Sequence, residues 1–467
     1  MEIRSVSWYP ANDPPLQIPL VYHTPAYYND TMKTFHIITF GCQMNEHDAE
    51  RMTGILEAEG CISALAAEDA DLVILNTCSI REKAEQKFFS ELGRIKQLKD
   101  AKPGLKIAVA GCIAQQEGAK ILSRAPYVDI VFGPSDISRL PEMVEKKRFW
   151  SAPVIDIAGD PAYHQKRIPT SRTDKLKAWV SIMYGCDNFC TYCVVPYLRG
   201  RERSRPGADI VHEVRELGQK GYREVTLLGQ NVNSYGKGLE EACDFPSLLR
   251  LINDSSDIDR IRFVTSHPRD LSDELISAFS NVPKVCESLH LPVQSGSDDI
   301  LRAMNRKYTR EAYLNKVKRL HLAMPHITLT TDIIVGFPGE SKRDFEMTMS
   351  LLEEVQFDGV YAFKYSMRPG TAALKCEGHL PEDVKESRLA QVLDLQGKMT
   401  SQKNSRLIGT KQEILVDGFS KKGGTLCGRT RGNKMVNIDA PASLVGSLVN
   451  VTITAAGMNS LSGRLCE

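Results

Sequence analysis

Gly185-Cys186-Asp187-Asn188-Phe189-Cys190-Thr191-Tyr192-Cys193 sets three thiols at C-x3-C-x2-C spacing, directly after an apolar run at 179–183 that reads as a β-strand. Thiols this close can face one metal centre, yet they leave its fourth position without a protein ligand. A structural zinc site is closed by four protein ligands, and residues 194–205 offer neither Cys nor His. A [4Fe–4S] cluster on three thiolates instead keeps one iron free for a substrate or cofactor. The cluster is the favoured reading and zinc the alternative.

Working outward, five more strand-like runs follow, at 224–228, 262–265, 288–291, 329–335 and 360–365, each alternating with a helical segment. Six βα units predict a partial barrel with its site at the carboxyl ends of the strands. Polar residues gather there: Gln230, Asn231, Asn233, Ser266, His267, Gln294, Ser295, Glu340, Ser366 and Arg368. Any one alone is as well explained as a turn or helix cap; as a set they line one mouth. His267, before Pro268, reads as structural or substrate-facing. No Walker-type phosphate loop occurs, and Gly236-Lys237-Gly238 is too short to specify a dinucleotide site.

Upstream, the runs at 34–40, 72–75 and 106–110 read as βα units of an open α/β sheet. Phe40-Gly41-Cys42, Asn76-Thr77-Cys78 and Ala110-Gly111-Cys112 each lie just past a strand's carboxyl end, the edge at which open α/β sheets bind ligands. Three thiols distant in sequence are thus expected on one side of a domain, as a second three-thiolate site. The competing reading is three inert buried thiols. Cys61, Cys243, Cys286, Cys376, Cys427 and Cys466 show no such arrangement.

The 467 residues carry a net charge of +1, 42% hydrophobic and 25% charged residues, the composition of a globular protein of two or three domains. No apolar stretch reaches a membrane span. The first thirty residues lack the basic and apolar regions of a secretory signal, and free cysteines suit a reducing cytoplasm. The charge is unevenly placed: from Lys403 onward nine Lys and Arg face four Asp and Glu, a net +5. That tail reads as short strands at 412–416, 425–429, 435–438 and 448–455, fitting a five-stranded OB-like barrel. Lys421, Lys422, Arg429, Arg431 and Lys434 make it a candidate RNA-binding surface, with Phe419 a candidate stacking ring.

The cysteine motif resembles that of the radical S-adenosylmethionine (SAM) enzymes, whose open iron binds SAM. The whole arrangement resembles the methylthiotransferases, in particular their MiaB-type tRNA branch. GCDNFCTYCVVPYLRGRERSRP (185–206), LGQNVNSYG (228–236), LHLPVQSGS (289–297), DIIVGFPGE (332–340) and GRTRGNKMVN (428–437) carry the likeness. The resemblance implies an N-terminal extension (1–33), an N-terminal open α/β domain with an auxiliary cluster (34–150), a radical SAM domain (170–402) and a C-terminal TRAM domain (403–467).

It further implies two [4Fe–4S] clusters, on Cys42, Cys78 and Cys112 and on Cys186, Cys190 and Cys193. Tyr192, Gln230, Gln294 and Ser295 would line the SAM pocket. The implied reaction adds a methylthio group to C2 of N6-isopentenyladenosine at tRNA position 37. One SAM would methylate a sulfur and another would be cleaved to a 5′-deoxyadenosyl radical. Partners would be the tRNA anticodon stem-loop and a low-potential donor of flavodoxin or ferredoxin type, with the enzyme a monomer. Rival expectations are a relative acting on tRNA threonylcarbamoyladenosine or on a ribosomal-protein aspartate, and a non-catalytic Fe–S or zinc RNA-binding protein.

Overall fold

The computed structural model describes residues 33–79, 82–159, 168–421 and 423–466. Almost all of the expected N-terminal extension, and Lys422, therefore lie outside the described residues.

The N-terminal sheet has six parallel strands in spatial order Ile62–Ser63, Thr34–Thr39, Leu72–Thr77, Lys106–Gly111, Ile130–Phe132 and Val154–Asp156. Sequence patterning finds the three long strands and misses the other three, which have two or three residues and too few alternations to read. Val154–Asp156 extends the sheet into a stretch that looks like a Pro-containing linker. The order reverses beside Thr34–Thr39, whose neighbours are the second and third strands in the chain. Such a reversal opens a crevice at the strands' carboxyl ends.

The central domain has six parallel strands in chain order: Lys177–Ser181, Glu224–Leu228, Arg260–Phe263, Ser288–His290, Thr328–Val335 and Gly359–Lys364. An Ile261–Val285 bridge joins the two halves, giving the expected partial (βα)6 barrel. Helices cover its convex face, and local chemistry fixes their starts. Lys342–Val355 opens with a reciprocal Ser341–Asp344 capping box, and Asp244 caps Phe245–Ser255 with Pro246 in the first turn. Ala178, Val180, Val225, Leu227, Leu289, Leu329, Ile333 and Val335 point into the core beneath these helices.

The concave face is treated differently along its length. Over the first strands, Trp179, Leu228 and Val264 pack with Phe35, Met44, Met52 and Ile55 of the N-terminal domain. That domain therefore plugs the first half of the barrel. The tail closes into a five-stranded barrel of Lys411–Phe419, Leu426–Thr430, Met435–Ile438, Leu448–Ala456 and Leu461–Leu465. Its last strand, broken by Ser462, Gly463 and Arg464, carries too little apolar pattern to read from sequence.

Candidate functional site

Cys186, Cys190 and Cys193 sit on a loop after the first barrel strand. Thr191 ties this loop across the mouth, its N–H donating to Met304 O at 3.1 Å and its carbonyl accepting from Ala373 N at 2.8 Å. Asn188 Nδ2 donates toward Cys186 Sγ at 3.4 Å. Buried Arg306 donates to Cys190 Sγ at 3.3 Å, the Tyr192 hydroxyl at 3.4 Å, the Tyr308 hydroxyl at 2.9 Å and the Pro292 carbonyl at 2.8 Å. Two of the three sulfurs thus face N–H donors, which suit thiolates. Burial pushes the Cys186 thiol up to about 11 and the Cys193 thiol up to about 12, with the neighbouring cysteines adding to the rise. Three charged sulfurs in so dry a place require a cationic centre, which displaces their protons. The donor set fits an iron–sulfur cluster.

In the N-terminal domain, Cys42, Cys78 and Cys112 lie at the carboxyl ends of three adjacent strands, with Cys42 and Cys78 at the reversal point. Glycine makes the approach possible: a Cβ on Gly41, at φ +133°, would sit 2.4 Å from Cys78 Cβ, and one on Gly111, at φ +88°, 2.4 Å from Thr77 O. The hydrogen-bonded Cys78 thiol holds Cys42 down to about 6 against the pull of burial, with Arg199 helping. Burial pushes Cys112 up, and Arg199 opposes it. Arg199 caps the short helix Val195–Leu198 just after Cys193 and donates to Asp48 at 2.8 Å. It therefore links the barrel's thiol loop to the helix that Cys42 begins.

Among the described residues, no three His, Cys, Asp or Glu side chains converge as ligands of one metal ion. A [4Fe–4S] cluster spreads three thiolates over three irons and leaves the fourth iron open, whereas a structural zinc is closed by four protein ligands.

The barrel mouth presents buried polar atoms without hydrogen-bond partners: both side-chain ends of Gln230, Asn231 Oδ1, Ser266 Oγ, His267 Nε2 and Gln294 Oε1. They come from the loops after three successive strands. Such atoms are costly to bury unpaired, so the set fits a polar ligand. His267 Nδ1 accepts from Arg269 N at 3.2 Å, leaving Nε2 as the N–H, and burial with Arg306 pushes its pKa down to about 2. It is a neutral donor across the physiological range. Tyr192 packs with Ile300, Met304, Phe337 and Tyr365. The Ser295 hydroxyl is already engaged, 3.4 Å from Thr348 Oγ1 and accepting from Ser297 N at 3.2 Å. Glu340 folds back onto the Phe337 amide and Arg388. Both brace loops.

The tail barrel docks at the opposite, amino ends of the strands. Arg260, with no exposed surface, donates to the Arg429 carbonyl at 2.8 Å and to Glu413. Arg262 donates to the Thr430 and Arg431 carbonyls, each at 2.7 Å. Arg431 pairs with Glu287 at 2.8 Å, and Lys434 with Asp358 at 3.0 Å. The Arg431 and Lys434 side chains therefore face the barrel domain and not open solvent. Lys421 is exposed, Arg429 half-buried, and Phe419 67% exposed. Sequence reasoning treats the five cations as one patch because it cannot see which acidic strand ends lie beneath them. It also misses Arg199, Arg306, Arg260 and Arg262, since no spacing marks an arginine whose partner is distant in the chain.

Three family patterns match the chain: Uncharacterized protein family UPF0004 at residues 34–133, the Radical SAM superfamily at 180–352 and the TRAM domain at 405–466. The tRNA-2-methylthio-N(6)-dimethylallyladenosine synthase of Thermodesulfovibrio yellowstonii is 51% identical, over 93% of this chain and 99% of its own length. That of Clostridium novyi is 48% identical, over 93% and 96%. Among solved structures, the radical S-adenosylmethionine methyltransferase TsrM from Kitasatospora setae aligns with a TM-score of 0.55 at 13% identity, covering 84% of each chain, a likeness of fold alone.

Proposed function

This chain belongs to the tRNA-2-methylthio-N(6)-dimethylallyladenosine synthase family, and from that membership we propose that it converts N6-isopentenyladenosine at tRNA position 37 to its 2-methylthio derivative. It is a radical SAM enzyme, so SAM and a [4Fe–4S] cluster are its cofactors. Cys186, Cys190 and Cys193 hold that cluster, and Cys42, Cys78 and Cys112 hold a second. When bound, these groups supply a radical able to attack the adenine C2–H and the sulfur that replaces it.

The chain's own residues do the rest. Arg306 fixes Cys190 and Tyr192 in one orientation. Gln230 and Gln294, with Asn231, Ser266 and His267, offer the unpaired donors and acceptors that orient SAM and the target base. The plug formed by the N-terminal domain keeps water from the first half of the barrel. Lys421 and Arg429, with Lys422, meet RNA phosphates, while Arg431 and Lys434 hold the TRAM barrel in place.

The observation that carries this reading is the 51% identity over 93% of the chain to such a synthase, and the Arg199–Asp48 link supports it by tying the two three-cysteine segments together. Electrons come from a low-potential flavodoxin- or ferredoxin-type donor, and the enzyme acts as a cytoplasmic monomer. Among the described residues no helix is long and apolar enough to cross a membrane. Mass spectrometry of tRNA nucleosides from cells lacking the gene tests the function. The 2-methylthio nucleoside should vanish, with its isopentenyl precursor accumulating. An unchanged nucleoside profile would reject it.

A further inference from the structure

The second half of the barrel's concave face meets the N-terminal domain at its mouth, where Glu85 pairs with Arg368 at 3.5 Å, and leaves two aromatic rings of its last strand exposed. The edge strand Gly359–Lys364 alternates sharply: Val360 and Ala362 turn to the main core, while Tyr361 and Phe363, two residues apart, turn to the concave side. Tyr361 is 57% exposed and Phe363 40%. Rings left in water on an edge strand are a liability unless they bind something.

Three observations say what. The strand begins beside Asp358, which Lys403 and Lys434 grip at 2.7 and 3.0 Å where the TRAM barrel docks. It ends at Tyr365, which packs on Phe337 in the cluster that holds Tyr192. The two rings therefore lie on the line between the basic tail and the thiol loop. Beside them, His290 meets the Tyr361 ring edge-on, with centroids 5.7 Å apart, and pairs with Asp332 at 3.4 Å. Asp332 is opposite Tyr361 in the strand register. A π face next to a half-exposed donor and acceptor is how proteins read splayed single-stranded bases. Rings on alternate strand positions stand about 7 Å apart, room for one unstacked nucleotide each. Polar neighbours break up the apolar surface, which favours nucleotides over a protein partner.

We propose that Tyr361 and Phe363 form a stacking track for unpaired anticodon-loop nucleotides beside the target adenosine, with His290 and Asp332 contacting a base edge. The track rests on the tRNA reading above and extends it to the face along which the loop travels. It also explains how RNA held at the amino ends of the strands delivers a base to their carboxyl ends.

The test measures binding of an isopentenylated anticodon stem-loop to the full-length, cluster-loaded protein and to Tyr361→Ala, Phe363→Ala and double variants. Both side chains are exposed, so melting temperature and iron content should match the wild type. Each single variant should weaken RNA binding about tenfold, and Tyr361→Trp should restore it. KM for the stem-loop should rise more than kcat falls. A double variant that binds within twofold of a wild type active on the same stem-loop overturns the track alone. A wild type that binds the stem-loop without modifying it overturns the functional reading instead. Hydrogen exchange adds a second readout: strand Gly359–Lys364 should gain protection when RNA is added. Protection already present without RNA, and lost on deleting residues 1–32, would assign the face to that segment and overturn the proposal.

Discussion

Arg199 donates to Asp48 across 2.8 Å, with both side chains almost wholly buried, and so ties the segment after Cys193 to the helix after Cys42. Breaking such a pair strands the other charge in a dry seam. Arg199→Leu should cost about 3–5 kcal/mol of stability, read as a lower denaturant midpoint. Arg199→Lys, which keeps the charge and loses the planar fork, should restore part of it. Because Arg199 also faces Cys42 and Cys112, methylthio product should fall further than 5′-deoxyadenosine formation in the Lys variant. Equal losses would show that Arg199 only stabilises.

Arg306 acts on the other thiol set. Replacing it by Gln removes a charged donor from Cys190 and should weaken cluster retention roughly 10- to 100-fold. It should also move the cluster to a more negative potential, since a positive charge beside sulfur favours the reduced state. Iron analysis and a potentiometric titration in a Cys42→Ala/Cys78→Ala/Cys112→Ala background isolate this centre. A potential unchanged from the parent would limit Arg306 to packing.

The tail's cations should separate into two behaviours. Lys421→Ala with Arg429→Ala should flatten the salt dependence of RNA binding, by roughly 0.7–0.9 in the log–log slope for each phosphate that is no longer neutralised. Arg431→Ala should leave that slope nearly unchanged and instead lower thermal stability, because it removes the Glu287 pair and donors to the Pro283 and Val285 carbonyls. Salt titrations of both variants distinguish phosphate binding from domain docking.

Glu50 supplies a pH signature. Burial pushes its carboxyl up to about 7, although Arg172 beside it pulls the other way. The unfolded value is about 4.3, so between the two the folded chain holds the extra proton. Stability from this group is fully present below about pH 4.3 and is lost as pH rises through about 7. Glu50→Gln should therefore flatten the fall in unfolding free energy over that window. An identical pH slope in the variant would refute this.

The fold was legible where the chain repeats a strong pattern. Six βα units, three Cys at strand ends and the C-x3-C-x2-C loop are all local signals, and each is found where the sequence places it. Strands of two or three residues such as Ile130–Phe132 leave no such signal. The arginines that assemble the site were equally hidden: Arg199 acts across 151 residues and Arg262 across 168. The same blindness grouped Arg431 and Lys434 with Lys421, although strand ends from the central domain meet the first two.

On the proposed function, the two thiol sets divide the labour, Cys186, Cys190 and Cys193 serving radical initiation and Cys42, Cys78 and Cys112 sulfur delivery. Comparing anaerobically reconstituted wild type with the Cys42→Ala/Cys78→Ala/Cys112→Ala variant on an isopentenylated anticodon stem-loop separates the two roles, with 5′-deoxyadenosine and methylthio nucleoside measured by mass spectrometry. The variant should retain about half the iron, on the stoichiometry of two clusters, still form 5′-deoxyadenosine, and make no methylthio product. Methylthio product at the wild-type level from that variant would contradict the division.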